Sequence, residues 1–512
     1  MPPVERLLPP ENGVTVRMYR QGHGDCFLIA FPREGGGEPY YVLIDCGYKP
    51  GSQAYLDHGK SLADVVKHLH ASCGGHLDLA ILTHEHQDHL NGIWKSSKPY
   101  FEPFEIDETW VAWTEDPTNE LANDLRERHR DQLLGLLAAR RELALAVGED
   151  DVAVTRLDSL LGLELGAGAE KLDDALLFAA AEDPEKSVNK QAMKLIKDKG
   201  AARKGCFYRY PGIAPLPLDG AAGIRAFILG PPEKADLIAD EDPHEGEGFP
   251  QGNPFSLAGA SRRAEDERSS PFRRHFFVPW KFAFDPRTHK ETPFFLDKYG
   301  TERAEKEDVD GEEVPDGASW RRIEDEWLYS AETLALKLNA GINNTSLVVA
   351  FELPTSKKVL FFAADAQRGN WASWKDVTFK DGDETITAKQ LLARTVLYKV
   401  GHHGSHNATL TGSADDAEHP NLAWMGQGSA AAEFTAMITA VTKWAMEKNN
   451  PPWVHPLPSI REALDTKARG RVFQTDEDEP VKPNGVSEGE WARFTDRSVF
   501  DPLYFDWKVL DE

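Results

Sequence analysis

The chain has 512 residues, of which 41% are hydrophobic and 28% are charged, proportions that exclude fibrous and wholly disordered proteins. One hydrophobic core stops growing below this length, so two domains or one domain with large insertions are expected. The formal net charge of −26 disfavours tracking along duplex DNA, because such binding needs a basic stripe. A nuclease with a small local basic lining stays compatible with this charge.

Targeting signals and cysteine pairs are not evident in the sequence. No run approaches the roughly 18 consecutive apolar residues of a membrane span, and residues 1–13 lack the basic and apolar regions of a signal peptide. The four cysteines form no C-x-x-C pair, which argues against a disulfide framework or a cysteine zinc site. These features predict a cytoplasmic protein with no membrane partner.

The first predicted elements, within residues 14–110, belong to a sheet-containing core. Short runs rich in β-branched and aromatic residues, bounded by glycine or proline, predict strands. The predicted strands are Val14–Tyr19, Cys26–Phe31, Tyr40–Ile44 and Leu77–Thr83. A helical spacing of apolar residues predicts a helix over Leu62–His70.

Two insertions are predicted in the middle of the chain. Asn119–Val147 is dense in helix-forming residues, so residues 111–205 are interpreted as a helical insertion. Residues 206–232 return to the core with a strand at Ile224–Leu229. Residues 233–330 are acidic, proline-bearing and aromatic with little periodicity, which indicates a loop-rich insertion.

Residues 331–512 are predicted to complete the same core. The strands predicted there are Ser346–Leu353, Val359–Phe362, Thr395–Val400 and Leu503–Val509. Helices are predicted over Ala331–Leu338 and Ala430–Glu447.

The strongest chemical signal is a histidine-rich motif directly after the predicted strand Leu77–Thr83. Within six residues it contains His84, His86, Asp88 and His89. Imidazole nitrogens and carboxylate oxygens are ligands of zinc and similar divalent metals, and a compact turn can direct them at two centres. A histidine-rich surface loop is the alternative, but the strand before the motif supplies the context that a metal site requires.

Two later motifs also follow predicted strands. Asp365 comes after a strand, and its two carboxylate oxygens can hold two cations, although an aspartate there can also cap a helix. His402 and His403 follow the next strand. We favour His403 as the ligand, because it lies at the tighter turn against Gly404, with His402 lining the site.

These motifs, in this order, resemble those of the metallo-β-lactamase superfamily. Residues 401–405 (G-H-H-G-S) resemble the final histidine motif of its ComEC/Rec2-like branch, and residues 21–29 (Q-G-H-G-D-C-F-L-I) resemble that branch's opening motif. Residues 343–347 are similar to the branch as well. The resemblance covers about residues 14–110 and 340–410.

The resemblance implies an α/β protein with the metallo-β-lactamase αββα four-layer sandwich, carrying the helical and loop-rich insertions. It also implies two divalent ions, with zinc expected and manganese as the alternative. The implied ligands are His84, His86, Asp88, His89, Asp365 and His403. Asp45 and Asp25 match positions that orient ligands without binding metal.

The sequence departs from the family pattern at two points. His23 stands where the branch commonly has glutamine. There is also no clear equivalent of the histidine that many members place between the H-x-H-x-D-H motif and the bridging aspartate. The histidines in that interval, each in an insertion where solvation or packing is favoured, are His129, His244, His275 and His289. Water or a substrate oxygen would then complete the first metal site.

The implied chemistry is hydrolysis by a water that bridges two metals and loses a proton near neutral pH. Asp88 would orient this nucleophile. His402, His23 or Lys399 would give a proton or hydrogen bond to the leaving oxygen.

Three functions follow as hypotheses. The branch favours a phosphodiesterase acting on phosphorylated small molecules, nucleotides or nucleic acid. The same metals also serve hydrolysis of an ester, lactone or thioester. The third hypothesis is a component of a multi-protein system, in which the insertions dock a protein partner through aromatic residues at 272–284.

Overall fold

The computed structural model describes residues 6–95, 98–149, 151–166, 187–251, 341–448 and 453–512. The described residues belong to one compact unit and have a mixed α/β fold, which confirms the predicted class. Most of the second expected insertion, including its aromatic run at 272–284, lies outside the described residues, as does the predicted helix Ala331–Leu338.

The larger of two main sheets has eight strands and joins the two ends of the chain. In spatial order its strands are β18 (Ser498–Phe500), β19 (Tyr504–Leu510), β1 (Gly13–Tyr19), β2 (Cys26–Phe31), β3 (Tyr40–Cys46), β4 (His76–Leu82), β7 (Glu105–Ala112) and β8 (Gly205–Arg209). From β3 to β8 neighbouring strands are parallel, and the remaining pairs are antiparallel.

The second main sheet has seven strands. In spatial order they are β17 (Val472–Gln474), β16 (Thr435–Ile438), β15 (Thr395–Lys399), β12 (Val359–Phe362), β11 (Val348–Glu352), β10 (Arg225–Gly230) and β9 (Leu216–Pro217). The strands from β12 to β17 are parallel to one another. Two small hairpins pair β5 (Trp94–Lys95) with β6 (Lys98–Pro99) and β13 (Thr378–Asp381) with β14 (Glu384–Thr387).

Helices lie between the strands. In chain order they are α1 (Leu62–Cys73), α2 (Gln87–Leu90), α3 (Glu120–Val147), α4 (Val152–Leu165), α5 (Val188–Ala201), α6 (Ala235–Ile238), α7 (Arg368–Ser373), α8 (Ala388–Ala393), α9 (Thr442–Lys448), α10 (Pro458–Lys467) and α11 (Glu488–Thr495). A capping box of Ser61 and Asp64 begins α1, and Gly74 ends it in the left-handed conformation with φ 66°.

The two sheets share one hydrophobic core. Val16 and Ile29 of the larger sheet belong to the same buried group as Phe351 and Met437 of the smaller one. The other face of the larger sheet is covered by α1 and α5, and the other face of the smaller sheet by α7, α8 and α10. Because both faces of the inner strands are buried, these strands are apolar almost throughout.

The predicted strands are confirmed to within a few residues at their ends, but the helix predicted over Ala430–Glu447 is wrong. Residues 435–438 form β16 between two parallel neighbours, and only the end of the segment enters α9. Pairing in the sheet outweighs the helix propensity of the alanines before it.

The expected helical insertion, residues 111–205, contains two structurally different parts. Helix α5 packs on β7 and connects it to the parallel strand β8, so it is a crossover helix of the sheet. Helices α3 and α4 pack on each other and are additional to that crossover. Among the described residues, no helix has both the length and the apolar character that crossing a bilayer requires.

Candidate metal centre

The predicted ligands lie at the carboxyl ends of parallel strands. Residues 84–89 follow β4, Asp365 follows β12, and His402 and His403 follow β15. Because the carboxyl ends of parallel strands meet at one edge of a sheet, side chains that are distant in sequence come together there. The two sheets meet at this edge, where Nε2 of His403 lies 3.0 Å from Oδ2 of Asp88.

Two glycines allow the loops around Asp88 to approach closely. A Cβ on Gly47 would lie 2.4 Å from the backbone of Asp88, and a Cβ on Gly24 would lie 2.5 Å from its carbonyl oxygen. Gly24 also has φ 151°, a value that disfavours other residues. The next residue, Asp25, donates its backbone N–H to the Asp88 carbonyl at 3.0 Å. The glycines therefore bring the opening motif against the histidine-rich motif.

Four predicted ligands form a compact buried group. We name it the acidic cluster, and its members are Asp88, His89, Asp365 and His403. One ligand atom from each residue lies within 4.8 Å of the others. Oδ2 of Asp365 is 3.1 Å from Nε2 of His89 and 3.6 Å from Nε2 of His403.

The acidic cluster fits a divalent cation. Oδ2 of Asp365 and Nε2 of His89 are buried 3.1 Å apart, and neither makes an aligned hydrogen bond among the described residues. A buried ion pair without well-formed hydrogen bonds is costly, and coordination of a cation would offset that cost. Imidazole nitrogen and carboxylate oxygen are also the donor types that zinc and related metals bind.

His84 and His86 lie beside this cluster, and we name them the histidine pair. Nε2 of His84 is 3.1 Å from Nδ1 of His86 and 3.9 Å from Oδ2 of Asp365. The Oδ2 atom of Asp365 therefore faces both groups. Burial, together with the neighbouring histidines, keeps the pKa of His84 well below its usual value, so its imidazole is neutral.

A lysine and an aspartate behind Asp365 orient its carboxylate. Nζ of Lys399 lies 3.5 Å from Oδ1 of Asp365 and 2.5 Å from Oδ2 of Asp25. Oδ1 of Asp25 accepts a hydrogen bond from Oγ1 of Thr439 at 2.6 Å. Lys399 thus engages one carboxylate oxygen of Asp365 and leaves the other facing the ligands. Lys399 and Asp25 are fully buried.

Asp45 orients His89 from within β3. Its carboxylate accepts hydrogen bonds from the backbone and hydroxyl of Thr83 at 2.9 and 2.6 Å, and its Oδ2 lies 2.8 Å from Nδ1 of His89. A proton on Nδ1 is shared with this carboxylate, which turns Nε2 toward Asp365. Asp45 has a left-handed φ of 54°, a strained conformation of the kind found at functional sites.

Opposite charges dominate the electrostatics of the acidic cluster. Although burial raises the pKa of Asp88, Lys49 and His403 bring it well below its ordinary value. The pKa of Asp365 is likewise low despite burial, because His89 and His403 are close. Burial lowers the pKa of His89, but the charges of Asp365 and two further aspartates raise it well above its usual value. In the absence of a metal ion, the ring of His89 is therefore an imidazolium.

His402 and His403 occupy a tight turn with positive φ angles of 40° and 55°. His403 is buried, and its Nδ1 lies 3.0 Å from the carbonyl oxygen and the hydroxyl of Thr439. The side chain of His402 is 21% exposed, with Nε2 3.9 Å from Oδ2 of Asp365. Burial lowers the pKa of His402 to about 3, so the ring is neutral. His402 therefore lies at the solvent side and His403 inside.

His23 lies behind the ligands rather than at their exposed side. It is fully buried, its Nδ1 accepts the backbone N–H of Val441 at 3.1 Å, and its ring centroid is 4.4 Å from that of His403. The ring of His455 stacks on that of His23 with a centroid distance of 5.4 Å. His23 is thus a packing and hydrogen-bonding partner of the site.

Sequence reasoning missed three residues of the site: Lys49, Glu164 and His455. Nζ of Lys49 lies 3.1 Å from Oδ1 of Asp88. Glu164 contacts the histidine pair from α4, where the only signal was an acidic residue within the apolar run of residues 160–165 (L-L-G-L-E-L). Lys49 and His455 carried no signal, because each reaches the site through its loop conformation.

The four histidines of the two expected insertions lie in different surroundings. His129 on α3 lies 3.1 Å from Glu164, so it reaches the surroundings of the centre. His244 is 61% exposed and pairs with Asp240 at 3.6 Å. His275 and His289 lie outside the described residues.

A further group, His76, Asp78 and Asp107, has metal-compatible spacing. Arg33 pairs with Asp78 at 2.6 Å, and Lys204 pairs with Asp107 at 2.9 Å. The protein's own cations therefore neutralise these carboxylates.

Comparison of the chain with known protein families gives no matching family, and comparison with curated proteins gives no match either.

Proposed function

We propose that the chain is a metal-dependent hydrolase of the metallo-β-lactamase fold, in the ComEC/Rec2-like branch, and that it cleaves phosphodiesters. The observation that carries the proposal is the convergence of two buried imidazole nitrogens on Oδ2 of Asp365, where Nε2 of His89 lies 3.1 Å and Nε2 of His403 lies 3.6 Å away. Oδ2 of Asp365 makes no aligned hydrogen bond among the described residues. The two sheets with a shared core and helices on their outer faces agree with the αββα sandwich.

In this proposal the acidic cluster holds one divalent ion and the histidine pair, with Asp365, holds the other. Bound ions supply an activated water near neutral pH and offset charge that develops on the attacked group. Asp365 is suited to both sites because its carboxylate has two oxygens and Lys399 engages the one that faces away.

The groups around the centre suggest how a substrate binds. His402 is partly exposed and neutral, so its ring can donate a hydrogen bond to a leaving oxygen. Trp453 is half-buried beside Lys49, whose Nζ lies 5.6 Å from the indole ring. The exposed part of the Trp453 indole suits a nucleotide, since bases stack on aromatic side chains, while Lys49 is buried and paired with Asp88. Lys399 and His23 are buried, so in this proposal they position ligands instead of protonating the leaving group.

The test combines elemental analysis of the purified chain with turnover of bis-p-nitrophenyl phosphate, for wild type and Asp365→Ala. We expect about two zinc or manganese ions per wild-type chain, phosphodiester turnover, and loss of both in the variant. Asp478→Ala is the matched control, because this aspartate is 85% exposed and pairs with Arg20 away from the centre.

Two outcomes would redirect the proposal. Bound metal with turnover of p-nitrophenyl esters but not of the phosphodiester would favour ester, lactone or thioester hydrolysis by the same centre. A wild-type chain that binds no divalent metal would contradict the hydrolase itself, and docking of a protein partner would become the leading hypothesis.

A further inference from the structure

A buried glutamate on helix α4 contacts the histidine pair from outside the two sheets. Oε1 of Glu164 lies 3.2 Å from Nε2 of His86, and the glutamate side chain is only 2% exposed. Its other oxygen, Oε2, lies 3.1 Å from Nε2 of His129 on α3. The carboxylate thus links a predicted metal ligand to the two additional helices.

This contact determines which nitrogen of His86 is free. An ionised carboxylate only accepts hydrogen bonds, so the proton of a neutral His86 ring lies on Nε2, toward Glu164. Both carboxylate oxygens of Glu164 face imidazole nitrogens, Oε1 that of His86 and Oε2 that of His129, so each oxygen is placed to accept an N–H. The lone pair of His86 is then on Nδ1.

The same reasoning applies to His84. Its Nδ1 lies 3.1 Å from the hydroxyl oxygen of Thr83, and that hydroxyl already donates its proton to Asp45. Oγ1 of Thr83 can therefore only accept, and Oγ of Ser346 lies 3.3 Å from the same nitrogen. A proton of His84 on Nδ1 satisfies Thr83 and leaves the lone pair on Nε2. Nε2 of His84 and Nδ1 of His86, which lie 3.1 Å apart, would then both be available to hold a cation.

We infer that Glu164 is a positioning residue that holds His86 with Nδ1 toward a metal ion of the histidine pair, so that helices α3 and α4 form part of the metal centre. The inference rests on the proposed function. A carboxylate that accepts the second N–H of a ligating histidine fixes its ring and raises its basicity. Glu164 takes that role, but it does not replace the histidine ligand that many members of the family have and this sequence lacks.

The position of Glu164 is itself anchored. Nδ2 of Asn189, at the start of α5, donates to the backbone carbonyl of Glu164 at 3.0 Å and to that of Leu163 at 2.7 Å. Asn189 is fully buried. The end of α4 is thereby tied to the crossover helix of the larger sheet, and the carboxylate is held against His86.

The experiment is a titration of the metal-stripped full chain with zinc ions against a competing chelator, for wild type, Glu164→Gln and Asp158→Asn. Asp158 is the matched control: it is also a buried carboxylate of α4, and it pairs with Arg140 of α3 at 2.7 Å without contacting the histidine pair. We expect Glu164→Gln to weaken one of two zinc sites by about 10–100-fold and Asp158→Asn to leave both affinities unchanged. Thermal unfolding of the metal-free proteins records any loss of stability separately.

The outcomes are distinguishable. If Glu164→Gln binds zinc at both sites as tightly as the wild type does, the inference is overturned and the proposed function stays intact. Equal losses of affinity in both variants, in proportion to their losses of stability, would show that Glu164 only docks the helices. A wild-type chain that binds no zinc would contradict the proposed function and the inference together.

Discussion

The acidic cluster and the histidine pair share Asp365 but are supported by different parts of the molecule. In the acidic cluster, His89 is oriented by Asp45, which lies within the central strand β3. In the histidine pair, His86 contacts Glu164, which lies on a helix outside both sheets. The acidic cluster is therefore supported by the sheets alone, whereas the histidine pair also depends on helix α4.

The position of a ligand in the centre and the orientation of its ring therefore have separate origins. All the predicted ligands owe their place to strand ends. The ring orientation of His86 depends in addition on the carboxylate of Glu164, and that of His89 on the carboxylate of Asp45. Any element that packs beside the histidine can supply such a carboxylate. The two halves should therefore respond differently to substitution and to pH.

The largest expected effect comes from removing a ligand of the acidic cluster alone. His403→Gln should abolish one zinc site and lower phosphodiester turnover by about 10²–10³-fold, because one centre of charge stabilisation is lost. Elemental analysis and steady-state kinetics measure both quantities. His406→Gln is the control, since this neighbouring histidine pairs with Asp242 at 3.0 Å. Loss of both zinc ions in His403→Gln would show that the two halves do not bind independently.

The pH dependence of zinc binding should also separate the two halves. The pKa of His89 in the metal-free protein is raised well above its usual value, so a proton must leave before zinc binds there. The affinity of the acidic cluster should therefore fall about tenfold per unit as pH decreases below that pKa. His84 is already neutral, because its pKa is lowered, so its site should change less. Calorimetry in two buffers of different ionisation enthalpy counts the released protons, and equal release at the two sites would contradict this prediction.

Removing the support of His89 should have a smaller effect than removing a ligand. Asp45→Asn should weaken zinc at the acidic cluster by about 10–100-fold while the histidine pair keeps its affinity, the reverse of the pattern expected for Glu164→Gln. The chelator titration of the two variants side by side measures this contrast. If both variants weaken the same site, the assignment of separate supports is wrong.

The smallest expected effect concerns His129. It contacts Glu164 but no ligand, and its side chain is 20% exposed, so water can replace the lost contact. His129→Gln should change zinc affinity at the histidine pair by no more than about threefold. A loss as large as that of Glu164→Gln would make His129 part of the metal site itself.

Much of the fold was predictable because its signals are local. Apolar runs such as Cys26–Phe31 and Val359–Phe362 have the composition of buried strands, and both are strands in the structure. The failure over Ala430–Glu447 has the opposite cause. There, the conformation of residues 435–438 is determined by pairing with β15 and β17, which are distant in the sequence, and no local pattern records that pairing.

The kinds of ligand and the loops that carry them were predictable from local sequence, because histidines and aspartates clustered directly after a strand supply the donor atoms of a divalent metal site. The folded structure was needed to show that Lys49, Glu164 and His455 join them, that His402 lies at the exposed side, and that His23 lies inside. These contacts join residues that are far apart along the chain. Ligand chemistry resides in single side chains, whereas burial, ring orientation and charge compensation are set by residues that only the folded sheets and helices bring into contact.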